Sequence, residues 1–159
     1  IIALCARYGA ETMIGSSAES LLRTRLRVNP ALNAAGLTAS CDVAVPISEI
    51  GKMLQQIDQL SRRFGLQVHA FAHAGDGNFH PAVVVPHEDP AALATAEHLL
   101  DAITHAALEL GGVISGEHGI GSLKRHHLDE QLGEETLRLQ RELKHFFDPN
   151  GILSPGRAI

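Results

Sequence analysis

Apolar residues recur at intervals of three and four along two long stretches of the chain. The first stretch carries Ile47, Ile50, Leu54, Ile57, Leu60 and Phe64. The second carries Leu93, Ala96, Leu100, Ile103, Ala107 and Leu110. This spacing predicts two amphipathic helices, each with one apolar face. Gly65 is a typical C-cap for the first helix, and Asp89-Pro90 supplies an N-cap followed by proline for the second.

Short β-like segments surround these helices. Residues 42–46, 67–74, 78–85 and 113–115 have the length and composition of strands, and Pro46 ends the first of them. The order is therefore β-α-β-β-α-β, the plan of a ferredoxin-like unit. We expect an α+β fold in which one antiparallel sheet carries both helices on a single face.

The two ends of the chain are predicted to be mostly helical. Residues 1–8 and 16–28 favour helices, residues 29–41 a loop or extended connection, and residues 123–128 and 134–147 tail helices. We therefore divide the chain into an N-terminal segment, 1–41, a ferredoxin-like unit, 42–118, and a helical tail, 119–159. Because the chain opens on Ile1 inside a predicted helix, we interpret it as a piece of a longer protein.

Charge and composition exclude several functional classes. The net charge is −5, from 18 acidic and 13 scattered basic residues, and there is no Trp and one Tyr. A nucleic-acid-binding face needs clustered basic and aromatic residues, so we expect none. No apolar run is long enough to span a bilayer. Cys5 and Cys41 form neither a CxxC motif nor the pattern of a secreted disulfide scaffold, which predicts free thiols and a cytoplasmic location.

The stretch His73-Ala-Gly-Asp-Gly-Asn-Phe-His80 carries the strongest chemical signal. If Asp76-Gly77 forms a two-residue hairpin turn, His73 lies directly opposite His80. Opposed residues have Cβ atoms ~4.5–5.5 Å apart, which suits two imidazoles that share one divalent metal. Two half-buried histidines without a ligand are the alternative, and a one-residue change of register would separate the pair.

A second signal is the glycine-rich stretch from Gly111 to Gly121, which contains Glu117-His118. Such a loop can wrap closely around a ligand, and it offers a carboxylate and a titratable base. The spacing differs from the HExxH of zinc proteases, and an ordinary glycine-rich loop is the alternative. Since both motifs follow strand ends of the predicted sheet, we expect them to converge.

The remaining histidines are assigned ordinary roles. His69 shares the strand face of His73 and could support it, whereas the others are expected at the surface: His98, His105, His126, His127 and His145. The two cysteines are expected to pack rather than to act as nucleophiles.

Three motifs together resemble the C-terminal domain of FAD-linked oxidases. They are the stretch from His73 to Pro81, the stretch from Ser115 to Gly121 followed by Lys124, and the stretch from Phe147 to Arg157. The family includes the D subunit of glycolate oxidase, D-lactate dehydrogenases and D-2-hydroxyglutarate dehydrogenase. The resemblance implies an FAD-dependent 2-hydroxy-acid dehydrogenase or oxidase of the glycolate or D-lactate type.

The resemblance also implies roles for single residues. His73, His80 and Glu117 match divalent-metal ligands, for zinc or manganese, and His118 matches the base that takes the hydroxyl proton. Arg25 matches the arginine that binds the substrate carboxylate, and Arg23 and Arg27 are alternatives if the alignment shifts by two. The FAD would be bound mainly by an N-terminal domain outside this chain, so no cofactor-binding residue is assigned and the isolated chain is expected to be inactive. A small 2-hydroxy acid, that FAD domain, and partner subunits or further copies of the chain are the expected partners.

Two departures from the family pattern limit the assignment. The chain has Ser154-Pro155-Gly156-Arg157 where many members have Asn-Pro-Gly-Lys or Asn-Pro-Gly-Arg, and it has Ser40 and Cys41 where some members have a substrate-binding lysine. The second departure argues against the 2-hydroxyglutarate branch. A metal-binding ferredoxin-like module without catalysis and a metal hydrolase are the alternative functions.

Overall fold

A computed structural model describes residues 2–10, 17–87 and 89–159 of the chain. The chain separates into two compact units, Ile1–Ala35 and Gly36–Ile159. In the first unit the structure describes three helices: α1 (Ile2–Arg7), α2 (Ala18–Arg25) and α3 (Val28–Ala35). Ile1 and Ser16, where two of the predicted helices begin, lie outside the described residues.

The prediction of a loop or extended connection at residues 29–41 is wrong where helix α3 lies, up to Ala35, whereas the extended strand Leu37–Ser40 agrees with it. Pro30 falls in the first turn of α3, where a missing N–H disrupts no helical hydrogen bond. Alanines at 31, 34 and 35 favour the helix. Pro30 is therefore compatible with the start of a helix.

A small antiparallel sheet forms the centre of the second unit. Its strands are β1 (Leu37–Ser40), β2 (Val43–Ala44), β3 (Val68–His73) and β4 (Asn78–Val85). Strand β4 is central, with β3 along one side and β1 and β2 along the other. Ala44 also forms an antiparallel bridge with Val113. The spatial order is that of a ferredoxin-like sheet, so the α+β prediction is confirmed.

The predicted last strand, 113–115, is only this single bridge. The N–H of Ile114 donates to the side-chain oxygen of Gln131 at 2.8 Å instead of to a neighbouring strand. Pairing therefore ends after one residue, and the chain turns into the glycine-rich loop.

Helices α4 (Ile50–Phe64) and α5 (Pro90–Glu109) pack on one face of the sheet. The core between them contains Phe79 and Val83 of β4 together with Met53, Leu99 and Ile103. The predicted apolar stripe of α4 is wrong at two positions. Ile47 lies in a 3-10 turn before α4 and is 60% exposed, and Leu54 is 51% exposed whereas its neighbour Met53 is fully buried. Both predicted caps are confirmed: Gly65 ends α4 in the left-handed conformation, and the Asp89 carboxylate accepts a bond from Ala92 N–H at 2.9 Å.

The C-terminal tail is helical, as predicted. A short 3-10 helix, Arg125–His127, leads into α6 (Leu128–Phe147), which breaks at Gly133 where φ is 72°. Ile114, Leu128 and Leu137 form a second small core. Among the described residues, no helix combines the length and apolar character needed to cross a membrane. The three-part division at residues 41 and 118 stays a prediction.

Candidate metal and proton-transfer site

The hairpin that carries His73 and His80 has a different register from the predicted one. His73 pairs with Asn78, and Phe71 pairs with His80. A two-residue type I′ turn requires positive φ at both central residues, and here Gly77 has a φ of 78° whereas Asp76 does not lie in that region. The loop is therefore longer, and the Asp76 carboxylate accepts a bond from Asn78 N–H at 3.0 Å across it.

The shift nevertheless keeps His73 and His80 together. It amounts to two residues, and strand side chains alternate with a period of two, so both imidazoles stay on the same face as diagonal neighbours. Their ring centroids lie 5.3 Å apart. The predicted proximity is thus confirmed although the predicted direct opposition is wrong.

Glu117 joins the two histidines. Its Oε1 lies 3.1 Å from Nε2 of His80 and 3.9 Å from Nε2 of His73. One ligand atom from each of the three residues lies within 4.8 Å of the others. The structure therefore brings together the three residues predicted as metal ligands, from two strands and a loop.

His118 lies beside this triad. Its Nε2 is 3.7 Å from Oε1 of Glu117, and its ring centroid is 5.3 Å from that of His80. The side chain is 62% exposed, so a molecule from solvent can reach it. This arrangement places a titratable base next to a potential metal position.

A buried carboxylate holds the loop that carries Glu117 and His118. Asp42, at the start of β2, is fully buried and accepts bonds from the backbone N–H of Glu117 at 2.7 Å and of His118 at 3.0 Å. The Ser115 hydroxyl donates to the same carboxylate at 3.3 Å and accepts from Gly119 N–H at 2.8 Å. Asp42 thus fixes two successive peptide groups, Gly116–Glu117 and Glu117–His118.

Lys124 neutralises this carboxylate. Its Nζ contacts Asp42 Oδ1 and donates to the Asp42 carbonyl at 2.7 Å. Burial alone raises the pKa of the Asp42 carboxyl, but the Lys124 ammonium and the two loop N–H bonds outweigh it and hold that pKa well below its ordinary value. The loop is therefore anchored by a buried ion pair.

His80 is nearly enclosed, because its side chain is only 7% exposed. Its ring stacks on that of Phe71, with the ring centroids 5.0 Å apart. Burial lowers the pKa of His80, and the neighbouring His118 and His73 lower it further, although Glu117 acts in the opposite direction. A neutral imidazole keeps a free lone pair, which is the form that coordinates a metal.

Close packing brings the loop against the hairpin at Gly116. A Cβ on Gly116 would overlap the side-chain amide of Asn78, so only glycine fits there. The Oδ1 atom of Asn78 is buried and accepts no hydrogen bond from the part of the chain that the structure describes. The Asn78 amide oxygen is thus a hydrogen-bond acceptor that lies beside the loop and the hairpin histidines.

Asp42 was not predicted as a site residue, and Lys124 was noted only as part of a family motif. The sequence signal for Asp42 was its position directly before the apolar residues Val43 and Val45, which are buried. A carboxylate buried beside them needs a charged or hydrogen-bonding partner. The prediction that Cys41 is not a nucleophile agrees with its environment, since burial raises the pKa of its thiol to about 12.

The predicted surface position of His127 is wrong. This residue is buried, and its Nε2 lies 3.2 Å from Asp101 on α5. His126 contacts the same carboxylate but is half exposed. The three arginine candidates lie in or next to α2 in the first unit, where Arg23 pairs with Glu19 at 2.9 Å and Arg25 is the last helical residue.

Comparison with known proteins gives this site a context. The family model "FAD linked oxidases, C-terminal domain" matches residues 1–158. Glycolate oxidase subunit GlcD of Bacillus subtilis is 37% identical over 118 residues, which is 74% of this chain and 25% of that protein. The mitochondrial D-lactate dehydrogenase [cytochrome] of Arabidopsis thaliana is 35% identical over 118 residues, 74% of this chain and 21% of that protein.

A third relative matches a longer part of this chain. The mitochondrial D-lactate dehydrogenase [cytochrome] of Kluyveromyces lactis is 35% identical over 140 residues, 88% of this chain and 23% of that protein. The chain spans about a quarter of the length of the curated relatives it matches. Because the family model matches nearly every residue, the chain belongs to the family of FAD-linked oxidase C-terminal domains.

Proposed function

We propose that this chain supplies the metal- and substrate-binding part of an FAD-dependent 2-hydroxy-acid dehydrogenase or oxidase of the glycolate or D-lactate type. The observation that carries the proposal is the convergence of His73, His80 and Glu117 beside His118 in a member of this family. The relatives' names, glycolate oxidase and D-lactate dehydrogenase, support the substrate class.

The residues present fit a divalent metal. Two imidazole nitrogens and one carboxylate oxygen are a ligand set of catalytic zinc sites, which leave one position open. The donor atoms are close enough to converge on one ion, and burial lowers the pKa of His80, which favours the neutral ring. Zinc or manganese is the proposed metal, and the buried Oδ1 of Asn78 is an acceptor for a donor group bound nearby.

The chemistry assigned to the chain is proton removal from a substrate hydroxyl. A metal held by His73, His80 and Glu117 would supply a Lewis acid for the hydroxyl oxygen, and an FAD bound by another domain would supply the hydride acceptor. His118 accepts the hydroxyl proton, a role that suits a solvent-accessible imidazole near neutral pH. Asp42 holds the His118 backbone in place through its bond to the N–H. The same carboxylate also faces the ring, since its Oδ1 lies 3.8 Å from Nδ1 of His118.

Arg25 is the proposed ligand of the substrate carboxylate, because a guanidinium can bond both carboxylate oxygens at once. Arg23 is already paired with Glu19, which makes it the weaker candidate. Arg25→Lys is expected to raise KM more than Arg23→Lys or Arg27→Lys. FAD binding by another domain, partner subunits or further copies, and the cytoplasmic location stay predictions.

Flavin reduction in the complete flavin-containing enzyme tests this function. The oxidised enzyme is mixed anaerobically with separate D- and L-2-hydroxy acids, with and without a metal chelator, and loss of flavin absorbance is followed. We expect one or more short 2-hydroxy acids to bleach the flavin, and the chelator to suppress the reaction. If none of the acids reduces the flavin, the proposed activity is wrong; if reduction is insensitive to complete metal removal, the proposed metal role is wrong.

A further inference from the structure

A second group of potential metal ligands lies in the same unit. It consists of Asp101 on α5 and of His126 and His127 on the 3-10 helix, and is called the Asp101 cluster below. Nε2 of His126 and Nε2 of His127 approach the same Asp101 oxygen, Oδ1, at 3.1 and 3.2 Å. One ligand atom from each residue lies within 4.8 Å of the others. No role in the proposed oxidation uses these residues.

The geometry points to a second site for a divalent transition metal, which we propose is formed by the Asp101 cluster. Around a tetrahedral ion with bonds of 2.0–2.1 Å, neighbouring ligand atoms lie about 3.3 Å apart. The two nitrogen–oxygen separations in the cluster are close to this value. Two imidazoles and one carboxylate suit zinc and its neighbours, whereas calcium and magnesium prefer oxygen ligands.

The burial of the cluster supports a built site. The His127 side chain is 10% exposed, whereas those of His126 and Asp101 are 55% and 48% exposed. One ligand is thus fixed in the protein and two are reachable by an ion from solvent. The two imidazole rings lie 4.0 Å apart at an angle of 41°, so adjacent residues present their rings to one carboxylate.

A cavity of about 490 Å³ adjoins the cluster and is bordered by all three residues. It leaves space for a fourth ligand, either water or a small molecule, as in zinc sites with an open position. Glu97, one turn before Asp101 on α5, lines the same cavity and offers a further oxygen. The cluster therefore has room for complete coordination.

Metal binding here would tie the 3-10 helix to α5. Lys124 directly precedes that helix and contacts Asp42, which holds the loop of Glu117 and His118. A metal at the Asp101 cluster would thus brace the segment that anchors the first site. Its role is structural support rather than proton transfer.

A cobalt-binding experiment on this chain tests the inference independently of the proposed oxidation. The first site is removed by His73→Ala and His80→Ala, and Co²⁺ binding is then measured by equilibrium dialysis and visible absorption. We expect about one Co²⁺ per chain with a ligand-field spectrum, displaced by Zn²⁺. Adding His126→Ala or Asp101→Asn should weaken binding at least tenfold, whereas the exposed His98→Ala on the same α5 helix should leave it unchanged.

Thermal unfolding provides the second readout. In the same background, Zn²⁺ should raise the Tm, and this rise should disappear with His126→Ala, whose metal-free Tm and circular dichroism should match those of the parent. Absence of Co²⁺ binding in the background protein would overturn the inference. So would binding that persists at full strength after both His126→Ala and Asp101→Asn; in that case the cluster is only a hydrogen-bonded group.

Discussion

Two aspartate–lysine pairs hold loops in the second unit by the same pattern of bonds. Asp148 contacts Lys144 and accepts bonds from the backbone N–H of Ile152 and Leu153, both at 2.9 Å. These partners lie four or five residues away, so the pair only shapes the end of α6. It acts within one local segment.

Asp42 makes the same kinds of bonds over a much longer sequence distance. Its lysine, Lys124, is 82 residues away, and the loop N–H donors at Glu117 and His118 are 75 and 76 residues away. The Lys124 side chain is 11% exposed, against 29% for Lys144. One bonding pattern can thus either end a helix or assemble a site, depending on how distant in sequence and how buried its partners are.

Asp42→Ala is expected to have the largest effect on stability. It leaves the Lys124 ammonium buried without its counter-charge and frees two loop N–H groups, which costs about 3–5 kcal/mol. Urea unfolding of Asp42→Ala and of Asp148→Ala measures the loss of unfolding free energy in each variant. The loss in Asp148→Ala should be clearly smaller. Equal losses in the two variants would refute the distinction between the pairs.

A double-mutant cycle measures how strongly each aspartate is coupled to its lysine. Lys124→Met combined with Asp42→Ala should destabilise by less than the sum of the single changes, with a coupling energy of about 1–3 kcal/mol. The reason is that the second change removes the charge left unpaired by the first. The matched cycle on Asp148 and Lys144 is the control and should give a weaker coupling. Additive losses at Asp42 and Lys124 would show that the pair is not coupled.

Gly116→Ala should perturb the loop that Asp42 holds. The new methyl group would overlap the Asn78 side chain, and overpacking of this kind costs about 1–3 kcal/mol. Gly51→Ala in α4 is the control, because its methyl group meets no atom within 4 Å and alanine favours the helix. Thermal unfolding should show a lower Tm for the first and an equal or higher Tm for the second. A neutral Gly116→Ala would mean that the close approach is not required.

Acid unfolding should show the smallest difference between the contributions of Asp42 and Asp148 to stability. The pKa of the Asp148 carboxyl is lowered by its bond to Lys144. The pKa of Asp42 is lowered because Lys124 and the two loop N–H bonds together outweigh burial. A carboxyl with a lowered folded pKa stabilises the protein above its unfolded pKa of about 4, and this contribution falls as pH drops toward the folded pKa.

Urea midpoints measured from neutral pH to below pH ~4 test this sign. The midpoint of the parent chain should fall with acid more steeply than that of Asp42→Ala, with Asp148→Ala in between. Identical slopes in all three proteins would contradict the assigned pKa shifts.

Local patterns predicted much of the fold. The helix stripes around Ile57 and Ile103, the cap at Gly65 and the hairpin near Asp76 all depend on residues within a few positions of one another. The face shared by His73 and His80 survived an error of two residues in register because side chains alternate. Periodicity and turn chemistry were sufficient for these features.

Long-range features were not predictable in the same way. Nothing near Asp42 in sequence indicates that its partners are Glu117, His118 and Lys124, and Asp101 lies 25 residues before His126. Such contacts depend on how the sheet and α5 pack, which no spacing rule describes. The expected convergence of the two motifs at neighbouring strand ends is confirmed, but the roles proposed for Glu117 and His118 rest on the family resemblance.

The most direct test of the central claim compares anaerobic flavin reduction in the complete flavin-containing enzyme and its His118→Ala variant. With a 2-hydroxy acid that reduces the parent, the variant should reduce its flavin about 10²–10⁴-fold more slowly while keeping its metal content, because only the proton acceptor is lost. An unchanged rate constant with the metal retained would contradict the claim that His118 is the base of this site.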